Sequence, residues 1–173
     1  KEYPLIIINH TQSKGKAQAI MESAEKARTD YVIMIDADLQ YPPEAIPEML
    51  KKIPEYQVIV ARRALNHENG LRKFLSKSHT WLYGKLLFGL TCDIQSGLKL
   101  FPRDLITQLD RRNITPWTLD LSLLDTANKL GYKIGEVPIT FQPRNQGQSK
   151  VNIFKSIAEH TYTALKIKFF NKR

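Results

Sequence analysis

Hydrophobic residues in this chain occur in short continuous runs that alternate with segments of helical spacing. Residues 5–8, 31–35 and 57–61 are apolar at nearly every position, which is typical of strands covered on both faces of a parallel sheet. The two intervening segments, residues 16–28 and 43–53, have the length and apolar spacing of helices. The order strand, helix, strand, helix, strand predicts an α/β fold.

The second half of the chain departs from this alternation. Residues 64–77 are polar and rich in turn formers, and residues 81–90 carry an apolar stripe at helical spacing, so we expect this stretch to cover a site. Residues 152–170 predict a long amphipathic helix. Four further elements are predicted between them: a strand at 94–101, a short helix at 102–109, a helix at 119–130 that Gly131 ends, and a strand at 132–141 that Pro138 interrupts.

Charge and cysteine content narrow the possible functions. The 173 residues carry a formal net charge of +9, which favours anionic partners such as nucleic acid, anionic lipid or phosphate-rich small molecules. Cys92 is the only cysteine and the four histidines are scattered, so neither a disulfide framework nor a Cys/His zinc site is predicted. No apolar run reaches the roughly 18 to 20 residues that cross a bilayer, and no signal segment, aromatic RNA motif or zinc finger is visible.

A polar segment, Asp36-Ala37-Asp38-Leu39-Gln40, directly follows the predicted strand at 31–35. Ligands of open α/β sheets bind beyond the carboxyl ends of strands, and alternate residues leaving a strand point to the same side. We therefore expect Asp36, Asp38 and Gln40 to face one cleft. Their oxygens suit Mg²⁺ or Mn²⁺, which keep coordination positions open for phosphate oxygens. The alternative is a capped turn, in which an aspartate accepts from helix N–H groups.

A basic segment near the end of the chain is the second candidate binding element. Arg144, Ser149 and Lys150 place a guanidinium, a hydroxyl and an ammonium around Gly147, a set that suits phosphate oxygens. The alternative is a solvated basic loop. Four further basic residues are candidates for phosphate contacts, each against the alternative of a solvated surface: Arg62, Arg63, Arg72 and Lys73.

Two more positions have both a chemical and a structural interpretation. Gln95-Ser96-Gly97 either admits a close approach of the backbone to a ligand or forms a strand bulge. Asp120 stands at the predicted start of the helix at 119–130. It either acts as a general base or is an acid favoured by the helix dipole.

Taken in order along the chain, these motifs resemble those of family-2 inverting glycosyltransferases, especially polyprenyl-phosphate glycosyltransferases of the dolichol-phosphate mannose synthase type. The landmarks that carry the resemblance are Lys14-Gly15-Lys16-Ala17, residues 36–44, Val60-Ala61-Arg62-Arg63, and residues 93–101, 135–139 and 144–150. The resemblance implies a GT-A-like, Rossmann-like fold with a mostly parallel sheet and flanking helices. Family members start with Pro-x-x-Asn-Glu-like and Asp-Asp-Gly-Ser-like motifs. Neither is present here, so we expect the N-terminal strand and the nucleotide motif to be missing.

The resemblance also implies a role for each candidate residue. The metal ligands are expected to be Asp36, Asp38 and Gln40. Asp36, Lys14 and Arg62 are expected to contact the nucleotide-sugar donor. Asp120 and Asp38 are expected to be catalytic. The acceptor phosphate is expected to bind Arg144, Ser149, Lys150 and Ser96. Ser122 departs from the family pattern, which often has a glutamate at this position.

The function implied by the resemblance is transfer of a mannose- or glucose-type hexose, with inversion, from a nucleotide-sugar to a dolichyl or undecaprenyl phosphate. Such an enzyme needs Mg²⁺ or Mn²⁺ and is expected at the cytosolic face of a membrane, without a nucleic-acid partner. Residues 1–150 would form an N-terminally incomplete catalytic domain, and residues 151–173 a basic helix that contacts the membrane or packs on the sheet. The alternatives are a non-processive family-2 transferase acting on a glycan hydroxyl, and a non-catalytic module that binds membranes or nucleic acid.

Overall fold

A four-stranded sheet forms the centre of the molecule. The computed structural model describes residues 4–64, 85, 87–115, 118–142, 161, 162, 164–166 and 168. The strands follow the order β1-β3-β2-β4 across the sheet, with β3 antiparallel to both neighbours and β2 parallel to β4. Three of the four strands therefore run in one direction. Their bounds are Tyr31–Ile35 for β1, Val58–Ala64 for β2, Leu98–Pro102 for β3 and Ile134–Thr140 for β4.

Helices cover both faces of this sheet. Helix α1 (Gly15–Lys26) and helix α3 (Leu119–Lys129) pack in one apolar cluster with β1 and β2, and helix α2 (Ile46–Lys51) packs on the opposite face. Short 3-10 helices lie at Pro43–Ala45, Arg103–Gln108 and Arg111–Asn113. The α/β fold and the helices predicted at 16–28, 43–53 and 119–130 are confirmed, with the helix at 43–53 divided into a 3-10 turn and α2, and the short helix predicted at 102–109 is a 3-10 helix.

Strand β3 brings a charged side chain into the core. Successive side chains of a strand point to opposite faces of the sheet. Leu98 and Leu100 pack on the face of α2, whereas Phe101 packs on the face of α1 and α3. Lys99 shares the face of Phe101 and is fully buried. A buried ammonium requires a counter-charge, and this requirement ties β3 to the site described below.

The prediction of a buried strand at residues 5–8 is wrong. This segment has no regular secondary structure, and the side chains of Leu5, Ile6 and Ile7 are 81%, 68% and 70% exposed. A strand forms only when its backbone groups pair with a neighbour. Among the described residues β1 is an edge strand that pairs with β3 alone, so residues 5–8 do not pair with its open edge and form no ladder.

Two predicted features of the second half have different outcomes. Gly131, with a φ of +76°, ends α3 as predicted. The predicted interruption at Pro138 is wrong, since β4 continues through it from Ile134 to Thr140; β4 is an edge strand of the described sheet, where a missing N–H is tolerated. Residues 65–84, which carry most of the predicted covering segment together with Arg72 and Lys73, lie outside the described residues.

The described positions of the C-terminal segment are helical, as predicted. Ala164 is fully buried and belongs to the same core cluster as α1 and α3, whereas the Tyr162 and Leu165 side chains are 69% and 41% exposed. Among the described residues of this helix, Ala164 therefore packs inward, and the large apolar residues Tyr162 and Leu165 are exposed. In the described part of the chain, no helix is long and apolar enough to cross a membrane.

An ion pair holds the loop before β3 against the end of β2. The Arg63 guanidinium donates to both carboxylate oxygens of Asp93, at 2.7 and 3.0 Å, and the backbone N–H of Asp93 donates to Glu136 at 3.0 Å. Burial raises the pKa of the Asp93 carboxyl, but the hydrogen bond and charge of Arg63 outweigh it and hold the pKa below its usual value. The pair is bidentate and mostly enclosed, which makes it a stronger contact than an exposed salt bridge.

Replacing Asp93 with asparagine should lower the free energy of unfolding by about 1.5–3 kcal/mol at pH 7. Because the folded-state pKa of Asp93 is depressed, its stabilisation is present above the unfolded-state pKa near 4 and is lost as the pH falls through the folded-state value. The deficit of Asp93→Asn relative to wild type should therefore shrink between pH 5 and pH 3 in urea unfolding series.

Glu48→Gln is the matched control for Asp93→Asn. Glu48 pairs with Lys51 on the exposed surface of α2, and such pairs contribute about 0–1 kcal/mol. An Asp93→Asn deficit that does not exceed that of Glu48→Gln, or that persists unchanged at pH 3, would contradict the role of this ion pair.

Candidate functional site

The candidate site lies at the carboxyl end of β1, where Asp36 directly follows the last strand residue. The backbone N–H of Asp36 donates to the Gly97 carbonyl at 3.0 Å, so the segment leaving β1 stays bound to the loop before β3. The N–H of Gln40 then donates to Asp38 Oδ1 at 3.3 Å, and Leu39 adopts a φ of +60°. Such a left-handed conformation is costly for a leucine and often marks functional turns.

Gly97 lies in close contact with the Asp36 carboxylate. A Cβ atom built on Gly97 would overlap that carboxylate and would also lie 2.9 Å from the Tyr41 ring. Only glycine therefore fits at this position, where two loops lie in close contact. The segment Gln95-Ser96-Gly97 was predicted to let the backbone come close to a ligand, but what it contacts is Asp36. The carboxylate is closed on the Gly97 side, so a ligand has to reach it from another direction.

Lys16 extends from the first turn of α1 to the same carboxylate. Its Nζ lies 2.7 Å from Asp36 Oδ1, and its side chain is still 43% exposed. Burial lowers the pKa of the Lys16 ammonium, but the charges of Asp120, Asp36 and Asp38 outweigh it and hold the pKa above its usual value. Lys16 therefore contacts Asp36 directly and also feels the charges of Asp38 and Asp120; that Asp36, Asp38 and Gln40 face one cleft stays a prediction.

Asp120 is bound to the buried ammonium of β3. Lys99 Nζ donates to Asp120 Oδ1 at 2.6 Å and also to the carbonyl of Ser96. Because the Lys99 side chain is fully enclosed and that of Asp120 is 22% exposed, the carboxylate shields the ammonium from the cleft. Asp120 stands in the first turn of α3, as predicted, and its main contact is this ion pair.

The turn that carries Asp38 and Gln40 is also bound to the segment after β4. Gln40 Nε2 donates to the Gln142 carbonyl at 3.1 Å, and the Gln142 N–H donates to the Gln40 carbonyl at 3.0 Å. This contact engages the Gln40 amide nitrogen. The amide oxygen is the atom that a cation would contact.

Tyr41 fills the space beneath this turn. Its ring packs edge-on against Phe141, with centroids 5.1 Å apart and planes at 71°, and the Arg63 guanidinium lies 5.6 Å from the centre of the same Phe141 ring. Burial raises the pKa of the Tyr41 hydroxyl to about 12. The aromatic pair thus links the Arg63–Asp93 contact to the carboxylate turn, and it keeps the turn in place.

Several predicted site residues lie elsewhere. Lys14 Nζ lies 3.1 Å from Glu22 on α1, and Arg62 Nε lies 3.9 Å from Glu136 with its side chain 59% exposed. Ser96 is fully buried, and its hydroxyl exchanges hydrogen bonds with the backbone of Leu98. The structure thus gives Ser96 a part in the turn, where a phosphate has no access. The predicted acceptor residues Arg144, Ser149 and Lys150 lie outside the described residues.

The sequence interpretation missed the two ammonium groups that contact the carboxylates. Lys16 is two positions from the predicted Lys14, and only the position of α1 against the sheet decides which of them faces Asp36. Lys99 lies in residues 93–101, one of the landmarks of the family resemblance, but the resemblance implies no role for it. The sequence does indicate that Lys99 has a partner, because it is a lysine inside an apolar strand, Leu98-Lys99-Leu100-Phe101, where a charge requires a counter-charge.

The charges at this site suit a cation and an anion bound together. In the described part of the chain, no three His, Cys, Asp or Glu side chains are grouped so as to enclose a metal by themselves. Mg²⁺, however, commonly binds to one or two carboxylates together with phosphate oxygens of a ligand. Asp36 and Asp38 provide this donor type, and the Lys16 ammonium shows that the cleft already accommodates a cation.

Comparison with known proteins identifies the family of this chain. Residues 1–109 match the family described as Glycosyl transferase family 2. A dolichyl-phosphate beta-glucosyltransferase of Trichomonas vaginalis is 29% identical over 164 residues, which cover 88% of this chain and 50% of that protein. A dolichol-phosphate mannosyltransferase of Pyrococcus furiosus is 29% identical over 178 residues, covering 95% and 49%. An undecaprenyl-phosphate 4-deoxy-4-formamido-L-arabinose transferase of Shewanella sediminis is 30% identical over 158 residues, covering 88% and 44%. The chain spans about half the length of these curated relatives.

Solved structures show the same architecture. Glucosyl-3-phosphoglycerate synthase of Mycobacterium tuberculosis, in complex with Mn²⁺, UDP-glucose and glycerol 3-phosphate, superposes with a TM-score of 0.69 at 19% identity over 90% of this chain and 56% of that one. The same enzyme with Mg²⁺ and UDP gives a TM-score of 0.69 at 19% identity, over 90% and 55% of the two chains. At these identities the likeness shows the fold, and it confirms the predicted GT-A-like architecture. Since the family match covers more than half of the sequence, the chain belongs to glycosyl transferase family 2.

Proposed function

We propose that the protein transfers a hexose, with inversion, from a nucleotide-sugar to a polyprenyl phosphate, and that it requires Mg²⁺ or Mn²⁺. The observation that carries the proposal is the pair of carboxylates in the turn after β1, Asp36 and Asp38, of which Asp36 already holds the Lys16 ammonium at 2.7 Å. Curated relatives named as dolichyl-phosphate and undecaprenyl-phosphate transferases support the substrate class.

The donor set fits the metal that this chemistry needs. Asp36 and Asp38 supply hard oxygen ligands, and Gln40 carries an amide oxygen on the same turn, which are the ligand types that Mg²⁺ and Mn²⁺ prefer. When bound, the ion would neutralise charge that develops on the departing diphosphate. The chain's own contribution is to hold the two carboxylates in position, through the Asp36–Gly97 backbone bond and the packing of Tyr41.

The state of Asp120 favours an acceptor that arrives already ionised. A hydroxyl acceptor needs a base to take up its proton, whereas a phosphate needs none. Asp120 is the predicted base, but its carboxylate balances the buried Lys99 ammonium. The ion pair therefore supports a phosphate acceptor over a glycan hydroxyl.

The basic segment after β4 starts beside the carboxylate turn. Gln142 exchanges two hydrogen bonds with Gln40, and Arg144 follows it by two residues, which span at most about 7 Å of extended chain. The acceptor phosphate would then meet Arg144, Ser149 and Lys150 close to the donor. Holding both substrates next to each other is the main requirement of a direct displacement at the sugar.

The end of the chain supports a peripheral contact with the membrane that holds such an acceptor. Tyr162 and Leu165 are large apolar residues exposed on the terminal helix, next to the exposed Lys166, whereas the Lys168 ammonium lies 5.9 Å from the ring of Phe88 in the core cluster. Exposed apolar residues flanked by lysines are typical of helices that lie in a bilayer interface. Ala164, on the inward face, attaches this helix to the catalytic core.

Asp38→Asn and Asp36→Asn should each weaken metal-dependent binding of a nucleoside diphosphate at least tenfold, about 1.4 kcal/mol, because an amide removes the charge that holds the metal. Calorimetry on the complete protein with UDP and GDP, with and without Mn²⁺, measures this effect. Asp30→Asn is the matched control, since Asp30 is exposed and immediately precedes β1, at the opposite end of the same strand. Equal Mn²⁺-dependent affinities in all three variants would remove the metal role.

Arg144→Ala and Lys150→Ala should each lower kcat/KM for the polyprenyl phosphate by about ten- to a hundredfold, since a lost charged contact costs about 1.5–3 kcal/mol. Arg144→Lys should recover only part of the loss, because lysine lacks the planar two-donor fork. Lys133→Ala, a charge change in the turn before β4, is the control. Turnover with the free polyprenol instead of its phosphate, or wild-type kinetics in both variants, would contradict the proposed acceptor.

The complete protein should bind vesicles that contain anionic lipid in a salt-sensitive manner, because each basic residue near such a surface contributes about 1 kcal/mol and salt screens the attraction. Cutting the chain after Lys150 should reduce binding, provided that the melting curve shows an intact fold. Sedimentation with neutral and anionic vesicles at low and high salt measures the effect. Equal retention by both vesicle types would argue that the terminal helix serves only for packing.

A further inference from the structure

Lys16 occupies the open side of the Asp36 carboxylate. Its ammonium contacts Oδ1 at 2.7 Å, while the other oxygen, Oδ2, lies against the α-carbon of Gly97, where even a methyl group would overlap it. The Asp36 N–H is held by the Gly97 carbonyl at 3.0 Å, so the residue is held on this side by its backbone as well. A second cation that approaches Asp36 therefore meets the ammonium first.

The neighbouring charges keep the ammonium in this place. Asp36, Asp38 and Asp120 all attract Lys16, and together they outweigh the cost of its partial burial. Lys99 is tied to Asp120 and to the Ser96 carbonyl inside the core, so it has no access to Asp36. Lys16 is thus the cation that balances the carboxylates on the solvent side, and its long side chain, 43% exposed, has room to swing away.

We propose that Lys16 is a resident counter-ion of the carboxylate pair, and that a divalent cation displaces it from Asp36 when the site is loaded. The inference rests on the metal role of Asp36 and Asp38 proposed above. A dication and an ammonium repel each other strongly at contact distance in a partly enclosed site, so they cannot share Oδ1. The metal-free protein keeps Lys16 on Asp36, and the metal-bound protein releases it.

Binding of the divalent cation changes the sign of the net charge at the site. Among the described residues that these contacts join, three carboxylates against two ammonium groups leave one excess negative charge, which repels a diphosphate. Adding a divalent cation converts it to one excess positive charge. Lys16 therefore preserves the carboxylate geometry before loading, and the released ammonium contributes to attracting the anion afterwards. The order of binding that follows is cation first and diphosphate second.

Titrations of the complete protein with Mn²⁺, without nucleotide, test the exchange directly by calorimetry or by electron paramagnetic resonance. Lys16→Met removes the competing ammonium, so Mn²⁺ should bind about two- to tenfold more tightly than to wild type. Lys16→Arg keeps the charge and should bind Mn²⁺ with an affinity close to that of wild type. Lys26→Met is the matched control, since it removes an equal charge from the last turn of α1, about 15 Å along the helix.

A second measurement needs no variant. The rate at which the Lys16 amine of wild-type protein is reductively methylated, followed by mass spectrometry, should rise several-fold when Mg²⁺ is added, because the ammonium loses its ion pair. The rate at Lys26 should stay the same. This readout holds even if a Lys16 variant folds poorly.

The outcomes separate the exchange from the metal site itself. Unchanged or weaker Mn²⁺ binding by Lys16→Met, or a Lys16 methylation rate that does not respond to Mg²⁺, overturns the exchange and leaves the metal site standing. An absence of Mn²⁺ binding by wild type and Lys16→Met alike overturns both the exchange and the metal role of Asp36 and Asp38.

Discussion

The negative charge that collects at the carboxyl end of β1 has to be balanced inside the protein, and the rest of the site follows from this requirement. Lys16 balances it from the solvent side, at 2.7 Å from Asp36. Lys99 balances it from within the core, at 2.6 Å from Asp120. Helix α1, strand β3 and helix α3 each contribute one charged group, so their packing and the electrostatics of the cleft depend on each other. A buried ammonium without its carboxylate would be strongly destabilising.

A second set of contacts keeps the two loops around these charges at a fixed distance. The Arg63–Asp93 pair holds the loop before β3, the Phe141 ring lies between Arg63 and Tyr41, and Tyr41 packs against the turn after β1. None of these residues has to touch a substrate. They provide the rigid support that a precise arrangement of charges needs, since small displacements at such a site reduce the rate strongly.

Much of the fold and of the site was predictable because it depends on local patterns. Strand β1 was predicted with its observed bounds, and α1 and α3 within a few residues, because burial on one or both faces leaves a clear apolar period. The polar segment after β1 was identifiable as a site because the carboxyl ends of strands are where ligands of α/β sheets bind. The segment at 5–8 was mispredicted for the complementary reason, since its apolar run is a local property and strand formation requires a partner.

The sequence by itself determined the family, the order of the elements and the place of Asp36 and Asp38, because these follow from motif order and from apolar spacing along one chain. Tertiary structure alone decided which neighbouring basic residue serves the site. Lys14 and Lys16 are chemically alike and two positions apart, yet one contacts Glu22 and the other Asp36. It also decided that Ser96 is enclosed and that Lys99 reaches Asp120. The physical reason is that the direction of a side chain depends on how helices and strands pack, and a charge acts on whatever that packing brings within a few ångströms.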